Sequence, residues 1–378
     1  MVRAAVWEEG LSAAERAVLG PGVPAELNRR PDVLVVGGGV IGLATAVACR
    51  LAGLGSVVVV ERAERLASAA SGGNGGAIAP DMHALTDSAE FVALGRASLA
   101  LYRRLDDEWD GAIGLRTTRW LQMFPAGGEP AAPPAGPQFE RLDGAAVREL
   151  EPDLMPPEGY TALLVGDQGA VNPQRLAAAL ASRAGAVATG VEATGIGLRG
   201  DRIAAVHTSI GDFQPGVVVM ATGLVPPPWS RSVCQRWVKG HMLATAPGPW
   251  RLGSVVSSDL GGGSPLPGGG VLCGGTFDDG DDSPDPRPEV AAALAAGLHR
   301  LLPLTRQASI THRWCCFRPF VDGRHPVIDR LPGTTNGWLS VGHFTTGVMM
   351  AAATSQTLAS WILGGTRPPE TATFYLPT

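Results

Sequence analysis

A glycine-rich turn between a strand and a helix constrains the fold of this chain more than any other feature. Residues 32–36 read DVLVV, which is typical of a buried strand, and residues 43–53 read LATAVACRLAG, which is typical of a helix. Between them, Gly37, Gly39 and Gly42 form the pattern G-x-G-x-x-G. The first glycine permits a tight turn, the second lets the backbone approach a pyrophosphate, and the third lets the helix pack on the strand.

An acidic residue completes this pattern. Residues 56–60 read SVVVV, which predicts a second strand, and Glu61 stands at its end, 19 residues past Gly42. A carboxylate there can accept hydrogen bonds from a ribose, and the helix N-terminus faces the negative charge of a phosphate. The βαβ unit therefore predicts a dinucleotide-binding domain, against the alternative of a glycine-rich turn without a ligand. It leaves the choice between FAD and NAD open.

The size and charge of the chain exclude several other classes. Its 378 residues, 45% of them hydrophobic and 17% charged, predict a soluble globular protein with two domains or one large domain. With 30 basic and 35 acidic residues the formal net charge is -5, so nucleic acid is not an expected partner. The most apolar stretch, residues 33–49, contains three consecutive glycines, so no membrane span is expected.

Cysteine and histidine usage argues against disulfides and metal sites. The five cysteines, an odd number without a C-x-x-C pair, are Cys49, Cys234, Cys273, Cys315 and Cys316. Five histidines without metal-ligand spacing are expected to be structural: His83, His207, His299, His312 and His325. The N-terminal residues carry early glutamates and no long apolar run, unlike a secretory signal. We therefore expect a cytoplasmic protein without a metal.

The rest of the chain predicts a second domain. Residues 1–30 form either an ordered N-terminal arm or a loose tail, with a helix around residues 11–19. Residues 231–320 alternate short apolar runs with glycine loops, as in an antiparallel sheet, and residues 257–270 are its longest predicted loop. Residues 337–342 predict a strand that leads into an apolar helix. The expected fold class is α/β, a Rossmann-like domain with a second α+β domain built on an antiparallel sheet.

Seven stretches in order give the chain a resemblance to the D-amino acid oxidase superfamily, in particular its glycine oxidase and sarcosine oxidase branches. They are DVLVVGGGVIGLATAVACRLAG with Glu61, SGGNGG (71–76), GAVNPQRLAAAL (169–180), VVVMATG (217–223), VKGHMLA (238–244), FRPFVDGRHPVIDRLPG (317–333) and GHFTTGVMMAAATS (342–355). The resemblance covers about residues 31–365. It implies an FAD-binding domain at 31–105, 166–230 and 325–370, and a substrate-binding domain at 106–165 and 231–324.

The resemblance also implies which residues bind the cofactor. They are Gly37, Gly39, Gly42, Glu61, Arg62, Ser71, Asn74, Gly75, Gly76, Val191, Gly223, Gly342, His343, Phe344, Thr345, Thr346 and Gly347. The last six form a turn entering a helix, which the family places at the pyrimidine edge of the flavin. Free N–H groups and a positive dipole end there would stabilise the reduced flavin anion. The alternative is that His343 and Thr346 cap a structural helix.

Two residues near position 317 carry the expected chemistry. Arg318 matches the arginine that pairs the substrate carboxylate in glycine oxidase-like proteins, and a guanidinium suits a carboxylate bidentately. The alternative is an internal ion pair. Cys316 matches in spacing the cysteine that links covalently to the flavin in monomeric sarcosine oxidases. The alternative is a buried free thiol, and the adjacent Cys315 leaves open which of the two points inward.

The segment WVKGHM supplies two further candidates, Lys239 and His241, on a strand that the family runs near the flavin face. A cation there would speed electron transfer to oxygen by stabilising superoxide. The alternative is a surface lysine and a histidine on a strand edge.

The chain departs from the family at the substrate. Sarcosine oxidases hold the carboxylate with a lysine where this chain has Met349. Glycine oxidase-like proteins place tyrosines in the substrate domain, and the only tyrosines in this chain are Tyr102, Tyr160 and Tyr375. Glycine, sarcosine or a simple D-amino acid is therefore not the expected substrate. Asp259, in the segment SSDL, either meets a cationic tail of a larger substrate or is a solvated loop residue.

The chain is thus predicted to be an FAD-dependent oxidase of an amino acid or N-substituted glycine. Hydride passes to flavin N5, the imine hydrolyses, and oxygen is reduced to hydrogen peroxide. The first alternative is a dehydrogenase that passes electrons to a quinone or carrier. The others are a regulatory protein that binds FAD without turnover and an NAD-dependent dehydrogenase.

Overall fold

The computed structural model describes residues 5–130, 136–223, 235–321 and 326–376. Strands are numbered in chain order: β1 (Val33–Val36), β2 (Val57–Glu61), β3 (Ala77–Ile78), β4 (Arg116–Phe124), β5 (Glu140–Asp143), β6 (Thr161–Ala170), β7 (Ala186–Thr189), β8 (Ala193–Arg199), β9 (Arg202–Thr208), β10 (Val217–Met220), β11 (Gln235–Thr245), β12 (Ser254–Ser258), β13 (Gly261–Pro265), β14 (Val271–Gly274), β15 (Asp278–Asp279), β16 (Ile310–Val321), β17 (Val327–Arg330) and β18 (Gly337–Val341).

The α-helices in the same ranges are α1 (Ala13–Leu19), α2 (Val40–Leu51), α3 (Ala89–Glu108), α4 (Gly144–Leu150), α5 (Pro173–Ala181), α6 (Pro288–Leu301) and α7 (Gly347–Gly364). Short 3-10 helices cover Val6–Glu8, Pro80–Leu85, Pro303–Gln307, Phe344–Thr346 and Pro369–Thr371. Within these described ranges no helix is long and apolar enough to span a bilayer.

The first sheet has the strand order β17-β18-β10-β1-β2-β7. β1 lies in its centre and pairs in parallel with both β2 and β10, and only β17 runs antiparallel to its neighbour. All four residues of β1 are buried, as expected for a parallel strand covered on both faces. Val33 and Val35 face the cluster formed by α2, α3, α5 and α7, whereas Leu34 and Val36 face the β8–β9 hairpin. This is the predicted Rossmann-like domain.

The second sheet has the order β15-β11-β14-β13-β12-β4-β6-β3, with β16 beside β11 and β5 beside β6. Its pairs are antiparallel except β12 with β4, which are parallel, so the sheet is mixed. β6 crosses the predicted domain boundary at 165/166, and the boundaries at 230/231 and 324/325 lie outside the described residues. The α/β class with a second domain is confirmed.

The predicted loop at residues 257–270 contains a strand, β13, so that expectation was wrong. The glycines that suggested a loop let β13 approach its neighbours closely. A Cβ at Gly262 would overlap the carbonyl oxygen of Val256, and one at Gly263 would lie 2.7 Å from Val271 Cγ1. Close backbone approach, rather than chain flexibility, is the reason for glycine here.

Candidate active site

The G-x-G-x-x-G turn has the close packing that its glycines predict. Gly37 adopts φ 118°, and a Cβ there would overlap the carbonyl oxygen of Ala221 at the end of β10. A Cβ at Gly42 would overlap the carbonyl oxygen of Gly37, so α2 packs directly on the turn. Gly39 precedes the first turn of α2 and carries no side chain that would fill the space before its N-terminus. The turn therefore leaves room for a phosphate at the helix N-terminus.

The carboxylate of Glu61 is fixed beside this turn. It accepts hydrogen bonds from the backbone N–H groups of Gly38 at 2.6 Å and Ala63 at 2.8 Å. The backbone carbonyl of Glu61 accepts from Val191, which is buried, and the neighbouring Arg62 is exposed. The acidic end of β2 thus lies next to the turn that is predicted to bind the pyrophosphate, as expected for a residue that would accept from the ribose.

A second loop, residues 71–76, closes over the N-terminus of α2. The Ser71 hydroxyl accepts from the N–H of Val40 at 2.9 Å. Asn74 accepts from the Gly76 N–H at 2.7 Å and donates through Nδ2 to the carbonyl of Thr345 at 3.5 Å. The 71–76 loop therefore joins the predicted pyrophosphate site to the C-terminal turn.

The C-terminal turn brings together the other predicted contacts. Gly342 adopts φ 71°, where a Cβ would lie 2.6 Å from Val321 Cγ2, and Phe344 adopts φ 49°. His343 is buried, and this burial lowers the pKa of its imidazole to about 3, so the ring is neutral at physiological pH. Its Nε2 lies 3.3 Å from the hydroxyl of Thr354.

Helix α7 starts at Gly347 without a side-chain cap. The hydroxyl of Thr346 donates back to the His343 carbonyl at 2.9 Å instead of accepting from the helix. The first N–H groups of α7 therefore have no side-chain partner, and a helix N-terminus in this state stabilises a nearby negative charge. The alternative that His343 and Thr346 cap the helix with their side chains does not describe this geometry.

The pairing of β11 with β16 sorts the expected catalytic side chains onto two faces. In their register Val238 lies opposite Arg318, and Gly240 lies opposite Cys316. Opposite residues of an antiparallel pair point to the same face, and successive residues alternate between faces. Arg318, Cys316 and Trp314 therefore share one face.

The other face carries Lys239, His241 and Cys315. The two adjacent cysteines thus point in opposite directions, and the Cys315 thiol lies 3.2 Å from the Pro284 carbonyl. The structure brings Arg318 and Cys316 together and separates both from Lys239 and His241. Burial raises the pKa of the Cys316 thiol.

Arg318 is buried, with 9% of its surface exposed. Its Nη1 donates to the Thr276 carbonyl at 2.7 Å, and its guanidinium carbon lies 4.6 Å from the centroid of the Phe277 ring. Burial lowers the pKa of Arg318, and the nearby Cys316 thiol and Asp278 carboxylate partly offset this by raising it. Within the described ranges no carboxylate lies within salt-bridge distance of this guanidinium. Arg318 therefore does not form the internal ion pair that was the alternative.

A cavity of about 540 Å³ lies beside this face. Thr276 and Phe277, which both contact Arg318, form part of its wall, as do Gly75 and Met242. A second cavity of about 530 Å³ reaches Thr345, Thr346 and Met349 at the start of α7. Both cavities are lined by Ala77 and Trp120, so they lie next to each other just past the 71–76 loop.

Lys239 is fully buried and satisfied within the protein. Its Nζ donates to Asp281 Oδ2 at 3.0 Å, to the Ser283 hydroxyl at 2.7 Å and to the Asp285 carbonyl at 2.9 Å. It is therefore not a surface lysine. It holds the segment 276–287, which carries the Thr276 carbonyl used by Arg318.

His241 supports the same segment. Its Nδ1 lies 3.0 Å from Asp278 Oδ2 and 3.2 Å from the Thr276 hydroxyl. Burial lowers the pKa of His241, and the Asp278 carboxylate partly offsets this by raising it. Arg287 pairs with Asp278 and, at 3.2 Å, with Asp281, so the two acids are shared between β11 and the segment 276–287.

The remaining predicted residues have plain structural positions. Cys49 and Cys273 are buried free thiols, and Gly223, with φ 62°, ends a described range. Cys234 and His325 lie outside the described residues. Across the described ranges no group of three or more His, Cys, Asp or Glu side chains is placed to hold a metal ion.

Sequence reasoning missed two tryptophans at the 71–76 loop. Trp7 Nε1 donates to the Asn74 carbonyl at 2.8 Å, and Trp314 Nε1 donates to the Gly73 carbonyl at 3.1 Å. A hydrogen bond to a backbone carbonyl leaves no motif in a sequence. The only signal was the presence of a tryptophan in a short polar arm.

Comparisons with known proteins agree with this geometry. The family described as "DAO: FAD dependent oxidoreductase" matches residues 32–361. The chain belongs to this family. Glycine oxidase from Pseudomonas putida is 27% identical over 353 residues, which span 88% of this chain and 94% of that protein.

Two solved structures share the fold. Glycine oxidase from Bacillus cereus has a TM-score of 0.78 at 23% identity and covers 92% of this chain and 99% of its own. L-proline dehydrogenase from P. horikoshii has a TM-score of 0.81 at 19% identity and covers 91% of this chain and 96% of its own. The predicted superfamily is confirmed, and the chain is an FAD-dependent oxidoreductase.

The residues present fit FAD. The hydroxyl of Thr222, buried beside Gly37, makes no hydrogen bond in the described part of the chain, and a buried polar atom of this kind is available for a ligand. The uncapped N-terminus of α7 lies at the other end of the 71–76 loop. Glu61 and Ser71 lie at the α2 end of this loop, and Thr346 lies at the α7 end.

Proposed function

We propose that the chain oxidises the carbon–nitrogen bond of a carboxylate-bearing amine, either an amino acid or an N-substituted glycine. When bound, FAD would supply a two-electron acceptor for the hydride equivalent that leaves the carbon beside the nitrogen. The resulting imine adds water and separates into an oxo acid and an amine. The glycine oxidase relatives support the amine chemistry.

The buried guanidinium of Arg318 is the observation that carries this proposal. Burying a cation without a carboxylate partner is unfavourable, so a ligand that supplies the anion is the natural reason to keep it. One N–H group of Arg318 donates to the Thr276 carbonyl, and this hydrogen bond fixes the plane of the guanidinium. The remaining N–H groups are proposed to bind a carboxylate bidentately. Arg318 is thus proposed to orient the substrate.

Orientation and exclusion of water are the other contributions of the protein. Among the described residues that line the two cavities, only Asp259 and His83 carry an acid or base side chain, and His83 is paired with Asp87 at 2.9 Å. No side chain is therefore assigned as a general base. The amine is proposed to react in its neutral form, which an apolar cavity favours because desolvation disfavours the ammonium.

The cavity supports a substrate larger than glycine. Its volume of about 540 Å³ lies in the range of sites that hold drug-sized ligands. Val290, Ala293 and Leu294 of α6 supply an apolar wall, and Asp259 supplies a carboxylate at the wall formed by the β12–β13 turn. The Tyr160 hydroxyl lies 3.1 and 3.2 Å from the two oxygens of Asp259 and fixes its direction. We propose an apolar or cationic substituent on the amine.

Oxygen is the proposed final electron acceptor, which reoxidises the flavin and is itself reduced to hydrogen peroxide. One observation favours the dehydrogenase as a second candidate: the buried ammonium of Lys239 is neutralised by Asp281 and faces away from Arg318. It is therefore poorly placed to stabilise superoxide. Anaerobic reduction by substrate, followed by mixing with oxygen or with a soluble quinone, separates the two. Fast reoxidation with stoichiometric peroxide supports the oxidase, and reoxidation by quinone alone supports the dehydrogenase.

Arg318→Met tests the proposed substrate class. N-substituted glycines and the same amines without the carboxylate are compared by the rate of anaerobic flavin bleaching. Wild type is expected to prefer the glycines, and the variant to lose about 2–5 kcal/mol of that preference, the usual effect of truncating one partner of a buried charge pair. The absorption spectrum checks that FAD is retained. An unchanged preference in the variant contradicts the role given to Arg318.

A further inference from the structure

The N-terminal arm lies along the cofactor site although the family match begins only at residue 32. Its described part, residues 5–30, contacts the Rossmann-like domain at several points. The Leu19 carbonyl accepts from the N–H of Leu66 at 2.7 Å, and Gly22 exchanges two hydrogen bonds of 3.0 Å with Thr189. Leu66 follows β2 and Thr189 ends β7, so these contacts lie on both sides of the strand end that carries Glu61.

The start of the arm reaches the 71–76 loop. Trp7 is buried, and its indole N–H donates to the Asn74 carbonyl at 2.8 Å. The carbonyl of Trp7 accepts from Asn172, which also caps the N-terminus of α5. Asn172 therefore fixes the backbone of Trp7, while the Trp7 side chain binds the loop.

The arm and the second sheet bind two adjacent peptide groups of the loop. Trp314, on β16, donates to the Gly73 carbonyl, the residue before the one that Trp7 holds. Both indoles belong to one apolar cluster, which also contains Met242 and Leu272. The loop is thus hydrogen-bonded both by the N-terminal arm, which precedes the family match, and by β16 of the second sheet.

The conformation of this loop determines the shape of the cofactor site at both ends. Ser71 contacts the N-terminus of α2 through Val40, and Asn74 contacts the turn before α7 through Thr345. A shift of the peptide at Asn74 would move both contacts. The two indole hydrogen bonds fix the carbonyl groups of Gly73 and Asn74 from outside the loop.

We propose that the N-terminal arm is a strap that holds the 71–76 loop in its FAD-binding conformation, with Trp7 as its positioning residue. Because binding equilibria that share a conformation are reciprocal, FAD in turn holds the arm in place. The inference rests on the proposed position of FAD along this loop. It gives the arm a function in cofactor affinity that does not depend on the substrate.

The test compares FAD affinity in two tryptophan variants. Trp7→Phe keeps an aromatic ring and removes the N–H donor. Trp237→Phe is the matched control, because its indole N–H donates to Asp282 at 2.7 Å, away from the loop. Both are made in the full chain with Cys316→Ser, so that FAD is held without a covalent bond. Quenching of flavin fluorescence gives the Kd for added FAD.

Trp7→Phe is expected to weaken FAD binding about 3- to 10-fold, the effect of one lost hydrogen bond. Trp237→Phe is expected to stay within twofold of its parent. A role of Trp7 in folding alone would lower the melting temperature of the apoprotein and leave the Kd unchanged, which would overturn the proposal.

Hydrogen exchange on the Cys316→Ser parent gives an independent result that does not require Trp7→Phe to fold. Added FAD is expected to slow amide exchange in residues 5–22 as well as in residues 71–76. Protection of the loop without protection of the arm overturns the strap. A chain that binds no FAD in either experiment instead contradicts the proposed function, so the two failures are distinguishable.

Discussion

The guanidinium of Arg318 occupies the space that a side chain at Gly240 would take. A Cβ at Gly240 would overlap Nη2 of Arg318 and lie 2.5 Å from its Cζ and 2.8 Å from its Nη1. Gly240 lies opposite Cys316 and therefore on the same face of the sheet as the arginine. The absence of a side chain at one position thus sets the direction of the cation that the proposed function depends on.

Gly240→Ala is therefore expected to impair catalysis without removing any functional group. The methyl group displaces the guanidinium from the Thr276 carbonyl, and a displacement of about 1 Å at an orienting residue costs roughly 100-fold in kcat/KM. Steady-state kinetics measure this, with the flavin spectrum as a check on the cofactor. Gly166→Ala, on β6, is the control, because its Cβ would meet no atom within 4 Å. Equal kinetics in both variants would contradict the role of Gly240.

The carboxylate of Asp259 is expected to select substrates by charge. Asp259→Asn should lower kcat/KM by up to about fivefold for N-substituted glycines that end in an ammonium, because an exposed ion pair contributes up to about 1 kcal/mol. Substrates of the same length that end in a methyl group should be unaffected. The measurement is a pairwise comparison of these substrates at low and high salt, and a uniform loss for both kinds would leave Asp259 with no part in selection.

Local patterns explain why the cofactor turn was predictable from the sequence and the catalytic face was not. Gly37 and Glu61 belong to one βαβ unit, whose periodicity and glycine spacing are read within 30 residues. The faces of Lys239 and Arg318 depend on the register between β11 and β16, which are about 75 residues apart in the chain. A one-residue shift of that register would exchange the two faces, and nothing in either segment alone decides it.

The misassigned strand β13 has a different cause. Glycine has a low propensity for strands, so residues 261–263 suggested a loop. Tertiary packing overrode this preference, since only residues without a Cβ fit against Val256 and Val271 at this point of the sheet. The tryptophan contacts to the 71–76 loop were unpredictable because each joins a side chain to a backbone carbonyl, which any residue type provides.

The Lys239–Asp281 pair is expected to stabilise the protein only above acidic pH. Hydrogen bonds donated by Ser283, and to a smaller extent by Lys239, hold the pKa of Asp281 well below its usual value. A carboxyl with a lowered folded pKa contributes stability that is complete above its unfolded pKa, near 3.8, and is lost as the pH falls toward the folded pKa. Asp281→Asn should therefore lower the melting temperature at pH 6 and have a smaller effect at pH 3. Asp279→Asn is the control, and a pH-independent difference would argue against this ion pair.

The buried His343 is expected to destabilise the protein in mild acid. Its folded pKa of about 3 lies below its ordinary value of 6.5, so between these pH values the unfolded chain binds a proton that the folded chain does not. Stability therefore falls with decreasing pH, by up to about 1.4 kcal/mol per pH unit. In urea titrations of the apoprotein at pH 7 and pH 5, His343→Gln should lose less stability than wild type. The same loss in both would mean that His343 is protonated in the fold.

The orientation of the two adjacent cysteines predicts which one can form a covalent bond to FAD. Cys316 shares the face of Arg318 and Trp314, next to the cofactor loop, whereas Cys315 points toward the Pro284 carbonyl. If flavin is attached through a thioether, Cys316→Ser should release it into the supernatant on acid precipitation, and Cys315→Ser should leave it in the pellet. Absorbance at the flavin maximum in both fractions measures this. Retention of pellet flavin in Cys316→Ser would contradict the assignment, and free flavin in the wild-type supernatant would mean that Cys316 is a buried thiol.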